Sequence, residues 1–134
     1  MLLTDRQGIP IGVSIHSASP HEVTLIKPLL KQANTRLRSR FRLLYDKAAD
    51  SQKLKWSLAA LDIRLICPPI FRRNQKVRPM TKNEREHYQD RWKVERTFSW
   101  LKNFRRLNAR WEYHSRNHLG FWQLGCLFTI LKRF

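Results

Sequence analysis

One carboxylate placed among cations gives the strongest chemical pattern in this sequence. Tyr88, Arg91, Glu95 and Lys102 follow the spacing Tyr-x2-Arg-x3-Glu-x6-Lys. On a helix that turns about 100° per residue, with Tyr88 at 0°, the other three fall at about 300°, 340° and 320°. The spacing therefore predicts that all four side chains share an arc of about 60°. A carboxylate ringed by basic groups is a poor core element, but it suits a divalent metal held beside a phosphate backbone.

A second acid, Asp46, follows the apolar residues 43–45 at the predicted end of a strand. Metal and ligand groups gather at that edge of α/β sheets. Phosphodiester chemistry uses two hard cations about 3.5–4 Å apart, and carboxylates suit Mg²⁺. Asp46 and Glu95 are therefore predicted to converge on magnesium, with basic side chains on the phosphates. Two structural alternatives stay open: Asp46 caps the next turn, or Glu95 forms a surface ion pair with Arg91.

The overall charge indicates a polyanionic partner. Among 134 residues, 27 are Lys or Arg and 10 are Asp or Glu, which gives a formal charge of +17. Nucleic acid is the usual partner of such a chain. No apolar run approaches about 20 residues and no secretory signal opens the chain, so we expect no membrane partner and a cytoplasmic location. Cys67 and Cys126 lack a CxxC partner and are predicted to be reduced core thiols.

Turn and cap residues predict the strands and helices that must position the candidate site residues. A hairpin opens the chain, with a strand ending near Thr4 and a second strand over residues 11–15. Ser19 is the expected cap of the first helix, with Pro20 in its first turn. The further elements are strand 41–45, a helix capped at 50–51 with Leu54, Leu58 and Leu61 inside, strand 63–67, a basic loop 71–81, a long helix 82–104 and a helix 117–132. This order predicts an α/β domain with a mixed sheet.

Two basic segments are candidates for phosphate contact. The first is the loop, and the second extends the surface past Glu95; a solvated face is the alternative for both. Trp92 and Trp100 are interpreted as core residues, with base stacking as the alternative. The basic candidates are Arg72, Arg73 and Lys76 in the loop, and Arg105 and Arg106, followed by Arg110 and Arg116, in the second segment.

The Tyr-Arg-Glu-Lys spacing and four further blocks resemble bacterial insertion-sequence transposases of the DDE class. The blocks are residues 94–107, 5–11, 18–22 and 45–51. The resemblance implies an RNase H-like fold, with Asp46 as the second catalytic acid and Glu95 as the third. It also implies Mg²⁺ or Mn²⁺ as cofactor and double-stranded DNA, both transposon ends and target, as partner. Tyr88, Arg91 and Lys102 would then lie against the transposon end, and a homodimer is expected.

One departure from that family concerns its first acid, which lies on a strand upstream of the hairpin. Residues 1–134 are accordingly expected to form a single, N-terminally truncated RNase H-like domain without the first strand. The chain would then be inactive alone, and three alternatives stay open: a truncated transposase remnant, the second reading frame of a split gene, or a fragment to which an upstream polypeptide supplies the acid. A non-enzymatic basic nucleic-acid-binding protein is the alternative function, and a metal-dependent nuclease outside transposition shares the same chemistry.

Overall fold

The computed structural model shows a chain that divides into two compact units. The first unit comprises Met1–Thr35 and Trp92–Phe134, and the second comprises Arg36–Arg91. The structure describes residues 1–17, 19–33, 40–71, 73 and 78–133. The combination of helices and short strands confirms the α/β class, while the single RNase H-like domain stays a prediction.

A β-hairpin opens the first unit, as the turn residues predicted. Strand β1 (Leu2–Thr4) pairs antiparallel with strand β2 (Pro10–Val13). The side chain of Asp5 holds the turn by accepting the backbone N–H groups of residues 7 and 9, each at 2.8 Å. Gly8 completes it with φ of 83°, a left-handed conformation that favours glycine.

Helix α1 (Glu22–Gln32) begins later than the sequence suggested. Its N-cap is His21, whose ring Nδ1 accepts the N–H of Val23 at 3.4 Å, so the prediction of Ser19 as cap was wrong. The extended backbone of His21 places Pro20 before the helix, outside its first turn. The helix buries Ile26, Leu29 and Leu30.

Three further helices complete the first unit and form its core with the hairpin. They are α4 (Trp92–Lys102), α5 (Arg105–Asn108) and α6 (Ser115–Leu131). The buried cluster consists of Val13, Leu101, Leu107 and Cys126. Gly125 allows α6 to approach closely, because a Cβ there would lie 2.9 Å from the Leu107 side chain. The prediction of a C-terminal helix over 117–132 is confirmed, with a start two residues earlier.

The second unit contains a parallel strand pair and two helices. Strand β3 (Phe41–Leu44) pairs in parallel with strand β4 (Ile63–Ile66). Helix α2 (Gln52–Ala59) connects them, and its predicted cap is confirmed because the Ser51 side chain accepts the N–H of Leu54. Leu54 and Leu58 are buried as predicted, but Leu61 is 59% exposed. The helix has ended before Leu61, at a turn that continues into Asp62 with φ of 58°.

The predicted single helix over 82–104 was wrong. The segment forms helix α3 (Lys82–Tyr88), a 3-10 turn (Gln89–Arg91) and then α4. A 3-10 turn advances about 120° per residue instead of about 100°, so one helical projection does not apply across it. Residues 82–102 contain no Gly or Pro, and the sequence therefore carried no punctuation at this position.

In the part of the chain that it describes, the structure shows two small sheets where the sequence predicted one mixed sheet. Within the described residues, the antiparallel pair β1–β2 and the parallel pair β3–β4 form separate two-stranded sheets. Both kinds of pairing that define a mixed sheet are therefore present, one in each unit.

Candidate active-site carboxylates and the basic surface

Asp46 lies at the C-terminal end of β3, as the sequence indicated. The ladder extends one residue past the strand, because the Tyr45 N–H donates to the Ile66 carbonyl at 3.0 Å. Asp46 then caps the 3-10 turn Lys47–Ala49, its Oδ1 accepting the Ala48 N–H at 2.9 Å. The structure therefore shows the capping alternative. The cap uses one of about four lone-pair positions that a carboxylate offers, so the other positions can still bind a ligand.

Asp50 has a role beside Asp46 that sequence reasoning missed. Its Oδ2 accepts the Ile70 N–H at 2.6 Å, and its Oδ1 pairs with Lys55. These contacts tie the loop that follows β4 to the segment that follows β3. Burial, with a smaller contribution from Asp50 and Asp46, raises the pKa of the neighbouring Cys67 thiol, although Lys55 opposes the rise. An acid next to a serine reads as a helix cap, and that pattern concealed the longer contact.

Glu95 is exposed on α4, and Lys102 is exposed seven residues further along the same helix. Seven steps of about 100° bring the two side chains to within about 20° of each other around the axis. The structure therefore places these two predicted residues on one helix face. Among the residues that the structure describes, the Lys102 ammonium has no hydrogen bond or ion pair. It is available for an anionic ligand.

Tyr88 and Arg91 belong to the second unit, whereas Glu95 and Lys102 belong to the first. Tyr88 is the last residue of α3, Arg91 is the last residue of the 3-10 turn, and both are partly buried. The predicted motif is therefore not displayed on one continuous helix. Its two halves are carried by two structural units.

The described basic residues in the two segments with a predicted phosphate contact are exposed, and some of them are also bonded within the chain. Arg73 and Arg105 are exposed. Arg106 donates from Nε to Glu112 at 2.9 Å and lies 5.1 Å from the Phe121 ring centroid. Arg110 donates to the backbone carbonyls of residues 112 and 113. Arg72 and Lys76 lie outside the described residues.

Glu112 organises a network that the sequence gave no reason to expect. Its carboxylate accepts from Arg106 and lies 3.1 Å from Nδ1 of His118. The indole N–H of Trp122 donates to Nε2 of His118 at 3.2 Å, which assigns the ring proton to Nδ1. Burial alone would raise the pKa of Glu112, but a backbone hydrogen bond, the Arg106 charge and the two side-chain hydrogen bonds lower it.

Trp92 and Trp100 differ from the core interpretation. Trp92 is 51% exposed, and Trp100 is partly buried. The guanidinium of Arg96 lies between them, 4.6 Å and 4.7 Å from the two ring centroids. The indoles therefore stack on a cation at the helix surface. Residues at i, i+4 and i+8 share a helix face, so the spacing of the three residues was readable from the sequence.

The donor set for a metal consists of carboxylates, which suit hard divalent cations. Within the described part of each unit, no group of three or more His, Cys, Asp or Glu side chains is placed to hold a metal ion. The structure therefore gives single carboxylates, Asp46 in the second unit and Glu95 in the first, and no assembled three-ligand centre. Cys67 and Cys126 are free and buried, as predicted.

No helix in the described parts of the chain is both long and apolar enough to cross a bilayer.

Comparison with known proteins finds matches that cover most of the chain. The family model described as "Transposase DDE domain" matches residues 1–130. A Burkholderia cepacia protein, assigned as the candidate transposase for insertion sequence element IS402, is 33% identical over 133 residues. The match covers 93% of this chain and 58% of that relative, so the chain spans somewhat more than half of the relative's length. No solved structure matches the chain.

Proposed function

The chain belongs to the DDE transposase family, and from that premise we propose that it contributes two catalytic carboxylates to transposition of an insertion sequence. The reaction is DNA cleavage and strand transfer, and the acids are Asp46 and Glu95. The family match over residues 1–130 carries this proposal. Asp46 at a strand end and Glu95 on a helix face with Lys102 support it. The RNase H-like fold is part of the same proposal.

Asp46 and Glu95 are the proposed ligands of the divalent metal that DDE transposases use, with Mg²⁺ as first choice and Mn²⁺ as substitute. Such an ion polarises the phosphodiester and helps to deprotonate a water or a 3′ hydroxyl. The cap on Asp46 engages one carboxylate oxygen through the Ala48 N–H. Glu95 is exposed and can reach a bound DNA backbone.

Double-stranded DNA, both transposon ends and target, is the proposed partner. The charge of +17 supplies the non-specific attraction. Lys102 and Arg105 are proposed phosphate contacts beside Glu95, and Tyr88 and Arg91 are proposed contacts of the second unit. Arg73 extends this set, and Arg72 and Lys76 keep the same proposed role. Arg106 keeps the same proposed role with a smaller share, because Glu112 engages its guanidinium.

A third carboxylate is proposed to come from another polypeptide segment. The family match supports this part of the proposal, because the resemblance implies a first acid on a strand before the hairpin. An upstream-encoded polypeptide that carries an aspartate on a strand would complete the site, and without it we expect little or no turnover. Assembly into a homodimer and a cytoplasmic location stay predictions.

The test is a metal-dependent cleavage assay on labelled transposon-end DNA. The chain is assayed alone and together with the upstream-encoded polypeptide, with Mg²⁺ or Mn²⁺, as wild type, Asp46→Asn and Glu95→Gln. Each variant is expected to lose at least about 100-fold in cleavage rate while DNA affinity is retained. Glu86→Gln is the matched control, since it removes an exposed acid from the neighbouring helix. Cleavage that is equal in wild type and Glu95→Gln would leave only a basic nucleic-acid-binding protein.

A further inference from the structure

The hairpin turn is bonded to α4 beside Glu95. Thr97 is fully buried, and its hydroxyl lies 2.6 Å from the Gly8 carbonyl oxygen and 2.9 Å from the Lys93 carbonyl oxygen. The single hydroxyl proton therefore faces one acceptor in the turn and one in its own helix. The shorter distance is the one to the turn. This contact links residues that are 89 positions apart in the sequence.

Two arginines strengthen the same junction from outside. Arg96 and Arg133 each donate to the Gln7 carbonyl at 3.0 Å. Both guanidinium groups also face the Trp100 ring, at 4.7 Å and 4.9 Å from its centroid. With Trp92 on the other side of Arg96, these residues form an alternating stack that we call the Trp–Arg stack: Trp92, Arg96, Trp100 and Arg133. A planar guanidinium between rings is already oriented, so its hydrogen bond costs little rotamer entropy.

The junction leaves no free space. A Cβ at Gly8 would lie 3.1 Å from the Arg96 guanidinium, 3.2 Å from the Thr97 hydroxyl and 3.3 Å from the Lys93 carbonyl. The turn backbone therefore touches the helix directly, without an intervening side chain or room for water. The Nε of Arg96 is buried and, within the described part of the chain, has no hydrogen-bond partner.

Three consecutive residues thus combine an exposed acid with two anchors. Glu95 is exposed, Arg96 is stacked and Thr97 is buried. Rolling the helix by about 20° would move a side-chain tip about 5 Å from the axis by roughly 2 Å. A displacement of about 1 Å in a reacting group costs on the order of 100-fold in rate. Small rotations of α4 are therefore large errors for a catalytic carboxylate.

We propose that Arg96 and Thr97 are positioning residues, which lock α4 against the hairpin turn and so set the direction of the Glu95 carboxylate. The lock itself rests on the observed contacts, while its consequence for catalysis rests on the proposed function of Glu95. The competing interpretation is that these contacts stabilise the first unit and nothing more. The two interpretations predict different results for a variant that lacks the Thr97 hydroxyl and stays folded. A positioning role predicts a slower DNA cleavage rate, and a purely stabilising role predicts an unchanged one.

Thr129 offers a matched control. It is also a buried threonine on a helix, and its hydroxyl donates to the Gly125 carbonyl at 2.9 Å. That bond stays within α6 and does not reach the turn. Thr97→Val and Thr129→Val therefore remove the same group from similar surroundings, and only the first breaks the junction. Thr97→Ser and Arg96→Lys are conservative variants that keep the hydroxyl or the charge.

The experiment measures three quantities for each variant together with the upstream-encoded polypeptide. These are the cleavage rate at saturating DNA, the DNA dissociation constant, and hydrogen exchange at the amides of residues 8 and 9. All are measured at a temperature where circular dichroism shows every variant folded. Thr97→Val should exchange about 5-fold faster in the turn, as expected for the loss of one net hydrogen bond. Its cleavage rate should fall at least about 10-fold, with unchanged DNA affinity. In Thr97→Ser, which keeps the hydroxyl, both the exchange rate and the cleavage rate should return toward the wild-type values.

The outcomes separate the lock from the function of Glu95. Equal cleavage rates for Thr97→Val and Thr129→Val would overturn the positioning role, whatever their stability. Turn exchange that is unchanged in Thr97→Val and in Arg96→Lys would overturn the lock. If wild type and Glu95→Gln cleave equally, the proposed function fails, and exchange in the turn still decides the lock.

Discussion

The hydrogen bonds inside the first unit differ in sequence separation from those inside the second unit. In the second unit, local caps by Ser51, Thr81 and Asp46 combine with side-chain bonds that span only 20 positions, from Ile70 to Asp50 and from Arg64 to Glu84. In the first unit the decisive bonds join the hairpin turn to α4 across 89 positions. Local caps form from neighbouring residues, whereas the junction forms only when distant segments have met.

This difference separates the two proposed catalytic acids. Asp46 is held by its own cap, within two residues along the chain. Glu95 sits on a helix that is hydrogen-bonded to residues 7 and 8 of the hairpin. Substitutions in the hairpin should therefore affect Glu95, and substitutions in local caps should affect the second unit alone.

The largest expected effect comes from Gly8→Ala. The left-handed φ of 83° costs an L-residue about 1–2 kcal/mol, and the new methyl group meets atoms at 3.1–3.3 Å. The free energy of unfolding, measured in urea, should fall by at least that amount. Gly120→Ala is the control, because a Cβ there meets nothing within 4 Å, and it should stabilise α6 by up to about 1 kcal/mol. Equal changes in the free energy of unfolding for Gly8→Ala and Gly120→Ala would contradict the close contact between the hairpin turn and α4.

The second prediction tests the local bonding of the second unit through Glu84. The Thr81 backbone N–H, then the Arg64 side chain, lower the pKa of Glu84 to about 2. Its folded pKa lies below the ordinary value of about 4.3, so its contribution is present above about pH 5 and lost as pH falls toward 2. Glu84→Gln should destabilise α3 by about 1 kcal/mol at neutral pH and flatten this acid dependence. Hydrogen exchange of α3 between pH 5 and 3 measures it, and a dependence as steep in Glu84→Gln as in Glu86→Gln would contradict it.

The third prediction separates two adjacent arginines of the first unit. Both are exposed, but Arg106 is also bonded to Glu112. Arg105→Gln should reduce the slope of log DNA affinity against log salt by about 1, the value for one lost phosphate contact. Arg106→Gln should reduce that slope less and should lower the melting temperature, because Glu112 loses one of its two side-chain partners. Fluorescence anisotropy in a salt series, with a thermal melt of each variant, provides the data. Equal slopes for the two variants would contradict the assignment.

The smallest expected effect concerns the two thiols, one in each unit. Burial raises the pKa of Cys126 to about 11 and also raises that of Cys67. At pH 8 the thiolate fraction of Cys126 should be more than about 100-fold below that of a free cysteine. Labelling with a disulfide reagent should therefore be slow in the native chain and fast in guanidinium. Immediate labelling of both thiols in the native state would show that the units open readily.

Local sequence signals predicted the parts of the fold that local bonds build. The hairpin, the strands that became β3 and β4, the Ser51 cap and α6 were all readable from turn residues, caps and apolar periodicity. The strand-end position of Asp46 followed from the same signals. The His21 cap and the 3-10 turn before Trp92 were missed, because a ring nitrogen can cap like a carboxylate and no Gly or Pro marks the turn.

Contacts between distant residues were beyond sequence reasoning. Nothing in the spacing connects Arg96 with Gln7, or shows that Arg106 is bonded to Glu112 while Arg105 is exposed. Trp92 was interpreted as core because large aromatic residues usually are, and the guanidinium beside it accounts for its exposure. Local patterns predicted a shared magnesium site for Asp46 and Glu95, and the resemblance to transposases supplied their roles as second and third catalytic acid.

The central claim is that Asp46 and Glu95 act on the same cleavage step, and a double-mutant cycle tests it most directly. The cleavage rate is measured for wild type, Asp46→Asn, Glu95→Gln and the double variant, with Mg²⁺ and the upstream-encoded polypeptide. Residues that act as one unit are strongly non-additive, so the double variant should be about as slow as the slower single variant. Losses that multiply would show two independent roles and would contradict a shared catalytic site.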